Sequence, residues 1–487
     1  MSLVTLDPRK AAPFPVAAAE LLRDTQLRKN VAHATDVIQR KRAALVAEKQ
    51  DWQALRDAGA AIRAEALRHL DTYLEQFERR CTSAGGVVHW AADTEEAQRI
   101  IVGLVREAQA TEVIKIKSMT TAEIDLNRVL EANGIRAYET DLAELILQLG
   151  NDQPSHIVVP ALHKNRQQVR ELFAREMHLP NLPDDPPALA EAARLYLRDK
   201  FLKVRTAICG ANFLVAETGS VCIVESEGNG RMCLTLPDTL IAVAGIEKVI
   251  PKYSDLEVLL QTLPRSATGE RMNPYNSIWT GVTPGDGPQR FHVVLLDNRR
   301  SDLLAKEMSR QTLRCIRCGA CQNACPVYRQ TGGHAYGSVY AGPIGAILTP
   351  QLYHMEHAQS LPYASSLCGA CYEVCPVKIN IPEVLVYLRA QVVDQDRRKL
   401  SSVFSQERIG MKMMARIFLS RERFETAQRL ARAAQKPLAG KSGWIHWLPG
   451  YAGRWTAARD LQSLPQQSFR EWWQTRSRRT NNAKAGQ

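Results

Sequence analysis

CIRCGACQNACP, residues 315–326, and SSLCGACYEVCP, residues 365–376, decide how this chain is read. The first stretch sets Cys315, Cys318, Cys321 and Cys325 before Pro326; the second repeats the pattern with Ser365, Cys368, Cys371 and Cys375 before Pro376. This is the spacing with which bacterial two-cluster proteins hold iron and sulfide. Thiolates are soft ligands, and two intervening residues let a short loop wrap a cubane so that three sulfurs reach three irons. The fourth cysteine of each run crosses to the other cluster. One cluster is therefore expected on Cys315, Cys318, Cys321 and Cys375, and a second on Cys325, Cys368 and Cys371, with Ser365 in the place of the fourth thiolate. Ser365 leaves several outcomes open: a serine oxygen ligand, a ligand from elsewhere or from a partner, a water-bound iron, or a three-iron cluster. Structural zinc, the rival for CxxC pairs, takes four ligands from two pairs, whereas here a third cysteine follows each pair and Cys-Pro closes each run. A purely structural cluster is disfavoured because shared crossover ligands place two clusters close together, as a relay needs.

At 487 residues the chain is long enough for two or three domains with substantial cores. Cys81, Cys209, Cys222 and Cys233 are scattered without disulfide spacing and read as small buried hydrophobes. The first residues lack an apolar h-region, and nowhere do eighteen apolar residues run together, so neither a signal peptide nor a membrane span is expected. The cytoplasm is the expected compartment, with peripheral attachment at the inner membrane left open. The net charge of +12 comes without a nucleic-acid motif; Arg and Lys are interspersed with acids, as on solvated helix faces, and an acidic docking partner explains the excess as well.

Four regions follow from pattern. Residues 1–80 read as helices, with Val31, Ala34 and Ile38, then Ala58 and Ile62, at helical spacing. Residues 81–298 alternate strands (GVVHW, EVIKIK, IRAYET, HIVVP, HVVLLD) with helices, among them Glu95–Ala108 and one opened by a Thr120/Glu123 capping box, which argues for a mainly parallel sheet. FLVAET and VCIVES around Gly219-Ser220 look like a hairpin, followed by a Gly-rich turn at residues 227–230. Residues 299–393, opened by a helix over Arg299–Arg310, hold the cysteine runs and a Gly-rich insert able to pack backbone near a cluster. Residues 394–487 are basic and carry Trp444, Trp447, Trp455, Trp472 and Trp473, which suits an interface or a tail strapped onto its own domain, with a helix lying in the plane of a membrane as a weaker third reading.

The paired runs, YASSLCGACYEVCPVKINIP around the second, AICGANFLVAETGS in the α/β region and PQQSFREWW near the end resemble the B-protein family of bacterial three-component lactate-utilization systems. The resemblance implies an α/β LUD domain, similar to the NagB/RpiA/CoA-transferase-like fold, followed by an α-helical ferredoxin-like domain with two [4Fe-4S] clusters. It also implies a part in oxidising L-lactate to pyruvate, beside a cysteine-rich A-type subunit and a LUD-domain C-type subunit.

No Gly-x-Gly-x-x-Gly opens a helix after a strand, so a Rossmann cofactor is unsupported and the primary oxidation site is expected in a partner. The competing reading is a CoA-transferase-like or isomerase-like enzyme whose clusters are structural or redox-sensing. Its candidate catalytic group is Glu217, with Glu225 behind it, because carboxylates beside the Gly219 turn sit where such a fold keeps its own. His89, His156 and His163 near strand ends read more simply as capped or surface histidines.

Overall fold

The computed structural model describes residues 5–398, 405–439 and 443–476. The chain divides into two compact units, Met1–Val392 and Val393–Gln487.

The first unit is built around a six-stranded, wholly parallel sheet. Its strands are β1 (Val87–Ala91), β2 (Glu112–Lys115), β3 (Arg136–Glu139), β4 (Thr206–Cys209), β7 (Thr239–Gly245) and β10 (Arg290–Leu296), in the order β1-β10-β7-β4-β2-β3. A smaller sheet of β5 (Phe213–Val215), β6 (Ser220–Glu225), β8 (Val249–Ile250) and β9 (Tyr275–Trp279) runs β8-β5-β6-β9, with the expected antiparallel hairpin at β5 and β6. Every residue of β4 and β7 is buried, as in a parallel sheet covered on both faces. One face is packed by Leu70, Leu74 and Phe77 of a helix over Leu70–Ser83. The other is packed by Ala97, Ile101 and Val105 of a helix over Thr94–Glu107, capped by the Asp93 carboxylate on Glu96 N–H at 2.9 Å.

Three readings change. HIVVP is a turn rather than a strand: Ser155 N–H bonds Pro160 C=O at 3.0 Å, and the His156 Nδ1 accepts the N–H groups of Val158 and Val159, both at 3.0 Å. The Thr120/Glu123 capping box does not form, because Ser118 is the N-cap of a short helix over Met119–Glu123, Asp125 at φ 50° breaks the run, and Glu123 is drawn into the interior. The helix over Arg299–Arg310 is split into Arg300–Leu304 and Glu307–Arg310, with Arg299 at φ 71° turning Arg300 inward.

The cysteine region shares one core with the N-terminal helices: Leu27 and Val31 from a helix over Thr25–Ala47 join Cys318, Cys321, Cys325, Cys371 and Cys375. Its floor is a helix over Gly342–Leu352 in which every residue is buried. A Cβ at Gly345 would stand 1.9 Å from the Tyr340 carbonyl oxygen. Gly345→Ala is therefore expected to lower the thermal unfolding midpoint through overpacking of about 1–3 kcal/mol. Gly103→Ala, mid-helix with nothing within 4 Å of the new methyl, should raise it slightly.

In the second unit, helices over Gln406–Phe418 and Arg421–Ala434 precede a two-residue ribbon pairing Trp444–Ile445 with Leu461–Gln462. Arg432 holds Glu471 with two bonds of 2.8 and 2.9 Å, and all five tryptophans of this unit are exposed.

Candidate iron-sulfur centre and the neighbouring cavity

The two runs fold alike. Arg317 and Gly319 have φ of 61° and 72°, and Leu367 and Gly369, at the same places in the second run, 56° and 84°. Each loop then enters a short helix, Ala320–Asn323 or Ala370–Val374, and the two helices pack together. The backbone aims N–H groups at sulfur: Arg317 N–H to Cys315 Sγ at 3.4 Å, Tyr328 N–H to Cys325 Sγ at 3.5 Å and Ile379 N–H to Cys375 Sγ at 3.4 Å. Ser365 Oγ accepts the Leu367 N–H at 3.1 Å, repeating the contact that Cys315 makes with Arg317.

The thiols fall into neighbourhoods. Burial raises Cys318, and its neighbours Cys375 and Cys315 raise it further. Cys321 is raised by burial and then by Cys315, Cys318, Cys371 and Cys375. Cys371 is pushed up to about 12 by burial and then by Cys325, with Cys368 adding. Cys375 is pushed up to about 11 by burial, against the N–H groups of Ile379 and Val377. Cys368 is exposed, while Cys318, Cys321, Cys325, Cys371 and Cys375 are buried. Protonated thiols in such a pocket must lose their protons when a metal binds.

Beside this centre lies a cavity of about 880 Å³. It opens beyond the carboxyl ends of β2, β3 and β10, where open parallel sheets bind ligands, and its walls include Lys115, Lys117, Glu139, Glu144 and His156. Lys115 Nζ meets Glu139 Oε1 at 2.7 Å with both side chains buried, and Asn127 Nδ2 donates to the same oxygen at 2.7 Å. His156 joins the cavity to the first cysteine run: with Nδ1 accepting, its Nε2 donates to Asn323 Oδ1 at 3.0 Å. Burial holds this imidazole neutral, down at about 3.

The other sequence candidates have local partners. Glu217 is exposed and accepts the Tyr253 N–H at 2.8 Å. Glu225 caps the Gly-rich turn, accepting from Glu227 and Gly228 at 2.8 and 2.6 Å. Neither lines the cavity. His89 Nε2 sits 3.1 Å from His292 Nδ1. His163 bonds Ser155 Oγ at 2.8 Å and Asp152 at 3.1 Å, with His334 alongside and the Lys164 ammonium on the same carboxylate. Cys81, Cys209 and Cys222 are buried and pushed up to about 12 by burial, as inert core thiols should be.

Residues 74–296 match the LUD domain and residues 311–379 the 4Fe-4S dicluster domain. Lactate utilization protein B of an Exiguobacterium species is 44% identical over 93% of this chain and 96% of its own length. The chain belongs to the lactate utilization protein B family. The Oceanobacillus iheyensis member is 42% identical over 93% of this chain and 94% of its own. A solved DUF162 family protein from Deinococcus radiodurans covers 47% of this chain and 98% of its own at 12% identity and a TM-score of 0.26, too slight a likeness to bear on the fold. Iron-sulfur clusters are thus the cofactors of this family member, and its residues fit them: soft, buried thiols on paired loops, with backbone N–H groups already turned toward sulfur. No helix among the described residues is long and apolar enough to cross a membrane.

Proposed function

We propose that this chain is the iron-sulfur electron-transfer subunit of a complex that oxidises L-lactate to pyruvate. The observation that carries the proposal is the pair of cysteine loops that share the same left-handed turn and pack against each other, in a chain whose relatives are named lactate utilization protein B. In this reading Cys315, Cys318, Cys321 and Cys375 hold one [4Fe-4S] cluster. Cys325, Cys368 and Cys371 hold the other, with Ser365 in the fourth position. When bound, the clusters supply one-electron transfer. Oxidation of lactate to pyruvate releases two electrons and two protons, so the pair must be divided before it leaves. A cysteine-rich A-type subunit and a LUD-domain C-type subunit are the proposed partners, and the exposed tryptophans of Val393–Gln487 supply aromatic surface of the kind that interfaces use.

Within the chain, buried residues exclude water from the first cysteine run, and exposed Cys368 brings the second run to the surface, where electrons can be exchanged. The cavity supports ligand binding beside the parallel sheet, yet Glu217 and Glu225, the carboxylates expected of the transferase-like reading, stand outside it. Anaerobic EPR tests the proposal: signals produced by dithionite should also appear with lactate and the partner subunits. Clusters that stay redox-silent while lactate is consumed would overturn it.

Ser365→Cys is expected to give the second run its fourth thiolate, changing the EPR line shape of that cluster and lowering its midpoint potential, because added negative charge near iron opposes reduction. A spectrum identical to wild type would place Ser365 away from iron.

A further inference from the structure

We infer that Arg42, Arg56, Arg63, Arg314 and Arg317 form a cationic cage that sets the reduction potential of the cluster on Cys315, Cys318, Cys321 and Cys375, an inference that rests on the ligand assignment above. Reduction adds an electron to a site already carrying four thiolates in a largely buried setting, where like charge is opposed most strongly. The fold answers with guanidinium groups. Arg56 donates to the carbonyls of Cys375 and Tyr372, both at 2.9 Å. Arg63, fully buried, donates to the carbonyls of Val249, Leu313 and Arg314 at 2.8, 3.0 and 3.3 Å, and to that of Glu247. Arg42 donates to Val374 C=O at 3.1 Å. Arg317 lies 4.7 Å over the Tyr340 ring and pairs with Glu247 at 3.2 Å.

Three donor atoms on this rim lack an acceptor among the described residues. The Nε of Arg42, the Nε of Arg314 and the Nη1 of Arg317 are buried without a hydrogen-bond partner among the described residues. A buried, unpaired N–H is unfavourable, so three around one centre mark an absent acceptor. Each of these arginines is within electrostatic reach of a cysteine of the first set: Arg42 of Cys318 and Cys375, Arg314 of Cys375, Arg317 of Cys315. Sulfide and thiolate of a bound cluster are acceptors of the right charge. The second set is different. There Arg389 donates to the carbonyls of Pro362 and Ser365 at 2.9 and 3.1 Å, and Cys325 and Cys371 are shifted by burial, backbone N–H groups and neighbouring thiols.

The test is an EPR-monitored redox titration of the full chain, purified anaerobically, with iron and sulfide measured for each variant. Arg42 and Arg314 are the residues to change, since both are partly exposed and neither pairs with a carboxylate among the described residues. Arg42→Gln and Arg314→Gln should each lower one midpoint, by at least a tenfold change in the one-electron equilibrium (~59 mV) when combined, and leave the other in place. Arg42→Lys, which keeps the charge, should hold the wild-type value. Equal movement of both midpoints, or none, at wild-type iron and sulfide content would overturn the cage. A wild-type chain without any reducible signal would instead refute the electron-transfer reading itself.

Discussion

Replacing Cys318 by serine is expected to abolish lactate-dependent electron flow through the reconstituted complex and to remove roughly half of the bound iron, since Cys318 is assigned to one of the two proposed clusters. The position is unforgiving for two reasons. Serine offers a hard oxygen where a soft thiolate binds iron and sulfide. The site is also buried, with Cys318 at 8% exposure among Cys315, Cys321 and Cys375, so no water-borne ligand can stand in readily. Only the thiols of Cys315, Cys321 and Cys375 would remain for that cluster, one short of its four cysteine ligands. Iron and sulfide assays with EPR check the result; one of the two cluster signals should vanish while the other persists. Full lactate-dependent reduction with unchanged iron would show that Cys318 is not a ligand.

The cysteine runs were readable because ligand spacing is a local constraint: loop geometry at Arg317 and Gly319 repeats at Leu367 and Gly369 whatever surrounds it. Strands β1, β2 and β10 were readable from short β-branched runs between turn residues, and β3 from the IRAYET stretch that follows Gly134. The central strand β7, TLIAVAG, was not, because a continuously apolar segment buried on both faces has no alternation to separate it from a buried helix. HIVVP misled for the opposite reason: its β-branched residues look like a strand, but the His156 side chain captures the backbone of its own turn.

The buried arginines carry no local signal at all. On the sequence Arg42, Arg56 and Arg63 look like a solvated helix face, interspersed with acids and glutamines. In the fold Arg56 and Arg63 are buried, and their acceptors are carbonyls at Tyr372, Cys375, Leu313 and Val249, far away in the chain. Periodicity reports which face of a helix is apolar; it carries no information about a distant loop that needs positive charge. The orphaned donors on Arg42, Arg314 and Arg317 were therefore legible only once the cysteine loops had been placed beside them.

Arg300→Met is expected to destabilise the first unit by about 3–5 kcal/mol, the range for breaking a buried ion pair on one side. Arg300 is 1% exposed and bridges two carboxylates: Nη1 and Nη2 hold Glu123 at 2.9 and 2.8 Å, and Nε holds Glu247 at 2.5 Å. Burial alone would raise the Glu247 carboxyl; Arg300, then Arg317, outweigh it and hold the group at about 2. Removing Arg300 leaves Glu123 with the Tyr340 hydroxyl and the Asn298 amide but with no paired cation among the described residues. Glu247 keeps Arg317, so Glu123 is the group left uncompensated. The double variant Arg300→Met with Glu123→Gln should therefore be more stable than Arg300→Met alone, because neutralising the stranded carboxylate removes most of what the first change exposed. Anaerobic denaturant unfolding of wild type, both single variants and the double variant closes the cycle. If the two losses simply add, Arg300 acts by packing alone. A strong coupling places it as the ionic joint between the end of the parallel sheet, through Glu247, and the loop that carries Arg317 and the first cysteines.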